Sequence, residues 1–322
     1  MMRTILGGAA AIALLAACDN DEPEAEVDVA ETLNEAAGAP VGADSDMDDT
    51  ASEAQPVRWV VRDEDSTMTL FPTIHILPED VQWRSDSFDR TLDEADEVWF
   101  EVLPSEMADQ AATQELTQRY GFDQETPLSE KLDEETYQNF VAAAEELGLP
   151  PQQLEPMRPW LAAITLQVMD LMRDGFTPAA GVETVIAAEV DDSKERALET
   201  MEEQLSFFGD LPLEVEIDFM NSVLESLEEG QGELKQFARD WATGDISALE
   251  EELMTEFRNV SEELYQVFLV RRNEAWVRKL TEELEGSGTD FVAVGALHLV
   301  GEDGVPAILD TMGYDVEGPL PN

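Results

Sequence analysis

Two apolar, strand-forming runs, residues 68–74 and 291–297, lie far apart in the chain, and between them apolar residues recur mostly at helical spacing. That pattern predicts an α/β protein with sheet segments on either side of a large helical middle region. Residues 58–62 and 68–72 alternate or run apolar around the polar turn Asp63-Glu64-Asp65-Ser66, which predicts a β-hairpin. A helix is expected over 88–95, and 98–103 reads as a buried strand containing one carboxylate, Glu101. Helices are expected near 105–119, 133–147, 158–174, 182–191, 212–229, 232–242, 246–257 and 261–285, punctuated by Pro150, Pro151, Pro156, Pro159, Pro178 and Pro212. A short strand at 196–200, a strand over 290–295, a helix over 305–312 and a last strand at 314–317 complete the reading.

The first 18 residues read Met-Met-Arg, an apolar stretch 5–17, then Cys18, the layout of a secretory signal too short to span a bilayer comfortably. Leu15-Ala16-Ala17-Cys18 resembles a bacterial lipobox, which implies lipidation at Cys18 and an exported, membrane-anchored lipoprotein facing the periplasm. Cys18 is the single cysteine, so an intramolecular disulfide is excluded. Residues 19–55 carry Asp and Glu throughout and no Lys or Arg, which predicts an acidic, disordered tether. Residues 56–322 then form one domain. The net charge of −55 repels nucleic acid and anionic lipid, so neither is expected as a partner.

The chain has two histidines, His75 and His298, in matching text: H-I-L-P-E-D at 75–80 and H-L-V-G-E-D at 298–303. Each follows one of the two apolar runs, so each falls where a buried strand ends, the place where α/β folds keep their sites. Imidazole is a common metal ligand and suits proton transfer near neutral pH. Glu101, charged in an apolar strand, is costly there unless paired or bound to metal; alternatively the pleat turns it to solvent. Two imidazoles and one carboxylate can hold a divalent ion, Mn, Co or Zn, and leave room for water and substrate. Arg272 is a candidate to stabilise charge on a reacting carbonyl, which Asn273 would position, or else to partner a site carboxylate, whereas Arg271 reads as a surface arginine. Glu183 and Glu199 are candidates to support the site from behind. Serine-elbow, phosphate-loop and Cys–His patterns are missing from the sequence.

Several segments together resemble one family. They are Trp59 with T-L-F-P-T-I-H-I-L-P (69–78), E-V-W-F-E-V (97–102), R-P-W-L (158–161), G-F-T-P-A-A-G-V-E (175–183), L-E-T-M-E-E-Q-L (198–205), W-A-T-G-D (241–245), R-R-N-E-A-W (271–276) and V-A-V-G-A-L-H-L-V-G-E-D-G-V (292–305). Over about 57–318 the chain resembles TraB/GumN-type proteins, related to the Tiki metalloproteases and to the wider erythromycin-esterase and ChaN-like group. The resemblance implies a mixed sheet flanked by helices and a divalent-metal hydrolase acting on a peptide or protein, with His75, His298 and Glu101 at the metal. Gly295-Ala296-Leu297-His298 keeps the family's G-x-x-H motif, whereas Pro72-Thr73-Ile74-His75 has proline where glycine is usual, and Glu183 stands where aspartate is expected. Proline fixes φ and removes an N–H. Pro72 therefore favours, modestly, a rival reading: an envelope protein without catalysis that binds or sequesters a peptide or protein partner.

Overall fold

A computed structural model describes residues 55–229, 232–247 and 258–321. The leader, Cys18 and almost all of the acidic segment lie outside these residues, as does most of the helix expected at 246–257. In chain order the strands are Val57–Arg62 (β1), Ser66–Thr73 (β2), Leu77–Pro78 (β3), Glu97–Phe100 (β4), Phe176–Thr177 (β5), Glu195–Ala197 (β6), Gly288–Gly295 (β7) and Asp315–Pro321 (β8). Helix Asp86–Asp93 (α1) precedes β4. Gln110–Gly121 (α2), Glu134–Glu146 (α3), Pro159–Arg173 (α4) and Val182–Ala187 (α5) lie between β4 and β6. Met201–Gly209 (α6), Leu213–Glu229 (α7), Gly232–Ala242 (α8) and Arg271–Leu284 (α9) lie between β6 and β7, and Val305–Met312 (α10) precedes β8.

Six strands form one mixed sheet in the order β6-β4-β7-β2-β1-β8, and β3 pairs with β5 in a small ribbon. β6, β4, β7 and β2 run parallel, while β1 is antiparallel to β2 and to β8. The expected hairpin is present: Arg62 pairs with Thr67 and Trp59 with Leu70. The two apolar runs meet directly, with Ser66↔Gly288 through Thr73↔Gly295 in register. Both faces of these central strands are covered, which is why they read as continuous apolar runs. On one side Phe71, Phe88, Phe291, Trp83 and Trp241 pack ring against ring at centroid distances of 5.0–6.4 Å.

The expected strand over 98–103 ends at Phe100, so Glu101 falls just past its end and is buried. Helix α6 was not legible from apolar spacing; a capping box between Thr200 and Glu203 starts it, and that pattern is visible in the sequence. The expected helix over 261–285 is present but not uniform. Glu262–Tyr265 passes through a π-helical turn, Gln266–Val270, before α9 begins at Arg271. Such wide turns are frequent at functional sites.

Because four strands are parallel, their C-terminal ends open on one edge. His75, Glu101, Glu199 and His298 all lie one to three residues beyond those ends. At the opposite edge Asp290 pairs with Glu97 across β7 and β4, and with Glu283 they bring carboxylate oxygens within 4.8 Å of one another. Burial first, then Glu283 and Glu97, lift the Asp290 carboxyl from 3.8 to about 6. A carboxyl raised in the folded state binds its proton better folded than unfolded. Its ionisation therefore subtracts stability as pH rises from about 4 through about 6. Asp290→Asn is expected to raise Tm more at about pH 8 than at about pH 5. An equal gain at both values in thermal melts would show that the charge is not responsible.

Candidate functional site

Local backbone pairing carries the first step of assembly. Beyond the β4–β6 ladder, Leu198 N–H bonds to Phe100 O at 2.9 Å and Glu199 N–H to Glu101 O at 2.8 Å, so the two acids emerge side by side. On the other flank the Gly295 N–H, at the end of β7, donates to Glu101 Oε1 at 2.8 Å. A β-carbon built on Gly295 would lie 3.0 Å from Glu101 Oε1, 3.4 Å from His75 Nε2 and 3.6 Å from His298 Cδ2. The two rings and the acid, distant in sequence, thus surround one point. Glycine leaves that point open.

His75 is held by α5. Its Nδ1 lies 2.7 Å from Glu183 Oε1, which also takes the Thr73 hydroxyl, and its Nε2 faces Glu101 Oε1 at 3.8 Å. The approach depends on Gly181: Val182 N–H bonds to Ile74 O at 3.1 Å, and a β-carbon at 181 would meet His75 O at 2.0 Å. Burial pulls the His75 ring down, but Glu183 and then Glu101 outweigh it and raise it to about 9. Its side chain is 14% exposed, against 5% for Glu101 and 3% for Arg272, so solvent reaches the cluster from the His75 side.

His298 sits in a 3-10 turn, Ala296–Leu299, with Trp276 4.2 Å from it between ring centroids. Asn273 Nδ2 donates to the carbonyls of Asp303, at 2.7 Å, and His298, at 3.4 Å, so Asn273 Oδ1 is left as an acceptor. His298 Nδ1 lies 2.6 Å from that oxygen and therefore carries the ring proton. The Nε2 lone pair then faces the cluster, where Arg272 Nη1 lies 3.3 Å away. Burial, and then Arg272, hold this ring down to about 3, so it is neutral.

Arg272 joins His298 to two buried acids, Glu101 and Glu199. Its Nε donates to Glu199 Oε2 at 3.1 Å, and its Nη2 donates to Glu101 Oε2 at 2.6 Å and to Glu199 Oε1. Nη1 reaches Phe268 O, inside the π turn, at 3.4 Å. Gln204 spans the two acids at 3.3 and 3.2 Å, and the Trp276 indole donates to Glu199 Oε2 at 3.1 Å. Burial opposes the Glu101 charge, but Arg272 above all holds its carboxyl down to about 2. Burial raises the Glu199 carboxyl against the pull of Arg272.

The structure brings together His75, His298, Glu101, Arg272 and Asn273, and adds Glu183 and Glu199. Arg271 is exposed, as its reading as a surface arginine implies. Sequence reasoning missed Thr73, Gln204, Trp276 and the close approach at Gly181. Thr73, Gln204 and Trp276 are defined by contacts to residues far away in the chain, which periodicity does not show.

Both imidazoles have Nδ1 tied to an oxygen and Nε2 turned inward, and with Glu101 this donor chemistry fits a divalent ion supported from behind. His75 Nε2 and Glu101 Oε1 form the open pair, while Arg272 holds the His298 lone pair and the other Glu101 oxygen. Accordingly, these three donors do not stand within 4.8 Å of one another.

The TraB/PrgY/gumN family model matches residues 57–318. The chain belongs to the TraB/PrgY/gumN family. It is 28% identical over 184 residues to the uncharacterized protein YbaP of Escherichia coli strain K12, covering 56% of this chain and 67% of that relative. The YbaP of Shigella flexneri matches with the same identity and coverage. No solved structure matches this family member.

Two substitutions test the geometry. Gly181→Ala is expected to lower stability by ~1–3 kcal/mol in denaturant titrations, because the α5 N-terminus must back away from His75. Arg272→Met, which leaves Glu101 and Glu199 buried without their cation, is expected to cost ~3–5 kcal/mol. A near-neutral result for either would contradict the packing described.

Proposed function

We propose that this family member is a metal-dependent hydrolase, acting on a peptide or protein, with His75, His298 and Glu101 as the residues that hold a divalent ion such as Mn, Co or Zn. The observation that carries the reading is the convergence of both rings and Glu101 around Gly295, at the C-terminal edge of the parallel strands. A bound ion would supply Lewis acidity toward a carbonyl and lower the pKa of a water. The chain's own residues do the rest. Glu183 orients His75, so that its Nε2 stands beside Glu101 Oε1 and both donor atoms face the site. Asn273 orients His298. Arg272, fixed on both acids, supplies positive charge behind the reacting carbonyl. Lipidation at Cys18 would place this chemistry on the periplasmic side of a membrane; among the described residues no helix is long and apolar enough to cross one.

One observation favours the second reading, a binder that sequesters a peptide. The Arg272 guanidinium is already engaged with Glu101, Glu199, His298 and the Phe268 carbonyl. Metal content separates the two. The enzyme reading expects near-stoichiometric Mn, Co or Zn in purified protein, lost when both histidines are mutated, whereas the binder reading expects none. With peptides screened beside esters, His298→Ala is expected to abolish metal-stimulated cleavage without unfolding the domain. Asn273→Ala is expected to lower metal affinity or cleavage ~10–100-fold. Unchanged cleavage in His298→Ala removes His298 from the mechanism.

A further inference from the structure

The matching text H-L-V-G-E-D ends in Asp303, and neither the sequence reading nor the proposed chemistry uses that residue. In the structure it is engaged at both ends. Its backbone carbonyl accepts the Asn273 amide at 2.7 Å, the shorter of the two bonds that fix the Asn273 side chain. Its carboxylate accepts the Tyr265 hydroxyl at 2.6 Å and Arg258 Nη2 at 2.9 Å. Arg258 also donates to the Tyr265 oxygen at 2.6 Å and lies over its ring, 4.2 Å from the centroid. Tyr265 is 1% exposed, so its hydroxyl is held against the Asp303 loop by packing as well as by the bond.

We infer that Asp303 and Tyr265 are positioning residues for His298: they pin the 300–304 loop, the loop fixes which way the Asn273 amide faces, and the amide fixes the His298 tautomer. Asn273 offers Oδ1 to His298 while its Nδ2 donates to the Asp303 carbonyl and, over a longer distance, to the His298 carbonyl. If the loop shifts, the amide loses its stronger acceptor and can turn over, presenting N–H₂ to Nδ1. The ring is then drawn toward carrying its proton on Nε2, against Arg272 Nη1, which can only donate there, so the single tautomer gives way to a mixture of the two. Burial, and then the bond to Asp303, raise the Tyr265 phenol to about 12, so it stays a donor throughout the working range.

The consequence for catalysis rests on the proposed hydrolase reading; the consequence for the ring does not. The test uses the full chain with nitrogen-15 histidine, where two imidazoles give four ring nitrogens, assigned by comparison with His75→Gln. The parent protein should show His298 in a single tautomer with the proton on Nδ1. Tyr265→Phe, which keeps the ring and its packing, and Asp303→Ala should each mix the two tautomers. Asp303→Asn, which retains an oxygen for the Tyr265 hydroxyl, should restore the parent spectrum. Where peptide cleavage is found, the first two variants should lower kcat with KM held. An unchanged His298 spectrum in both Tyr265→Phe and Asp303→Ala overturns the inference, whatever the cleavage assays show. Absence of cleavage in the parent would sink the hydrolase reading and leave the tautomer result standing.

Discussion

The buried ion network around Arg272 is the constraint on which the site depends. Two carboxylates, Glu101 and Glu199, emerge side by side because the β4–β6 pairing continues through Leu198 N–H to Phe100 O and Glu199 N–H to Glu101 O. Like charges so placed and so buried are unfavourable on their own. A single guanidinium, donating to both, makes the arrangement tenable, and its planar fork does this in a way that a lysine could not. Removing the cation and removing an acid are therefore different experiments. The first leaves two charges without compensation, whereas the second leaves one ion pair. The same guanidinium faces His298, so one side chain balances the charge of the sheet edge and, together with burial, keeps that ring neutral.

Much of the architecture follows from local pattern. The apolar runs at 68–74 and 291–297 became the central parallel pair, β2 and β7, because a strand buried on both faces leaves no polar position to alternate with. Helices bounded by prolines or caps, such as α4 and α10, fell close to their expected limits. Strand ends were less legible. Glu101 reads as part of a strand because Val102 and Leu103 are also apolar, yet the strand stops at Phe100 and the ladder beyond it narrows to one bond. Whether the acid was buried or turned to solvent depended on Arg272, which lies in a helix far along the chain. The pairing of Glu183 with His75 was equally hidden, because it requires α5 to dock at Gly181 with almost no clearance.

Pro72 shows how a departure from a family pattern can be absorbed. The worry is a missing N–H in a central strand. In a strand the N–H and C=O of one residue point to the same side. The Pro72 carbonyl accepts the Trp241 indole at 3.1 Å, on the side where pairing with β1 has already ended at Leu70. The ladder to β7 loses nothing, and it continues through Thr73↔Gly295. His75 consequently stands within 3.8 Å of Glu101 despite the proline. Glycine is required instead at 295, where the three converging side chains leave no room for a β-carbon without displacement.

Two histidines in nearly identical text end in opposite electronic states, and the difference lies in what accepts each Nδ1 proton. For His75 the acceptor is a carboxylate, with a second carboxylate facing Nε2, and the ring is raised to about 9. For His298 it is a neutral amide, and a guanidinium faces Nε2, so the ring is held to about 3. Burial opposes the charged form of both rings, so burial cannot explain the divergence; the partners do. Local sequence around each histidine carries no trace of this, because Glu183, Asn273 and Arg272 are supplied by helices elsewhere in the chain. The repeated frame determines where the rings stand, and the helical middle determines what each ring is.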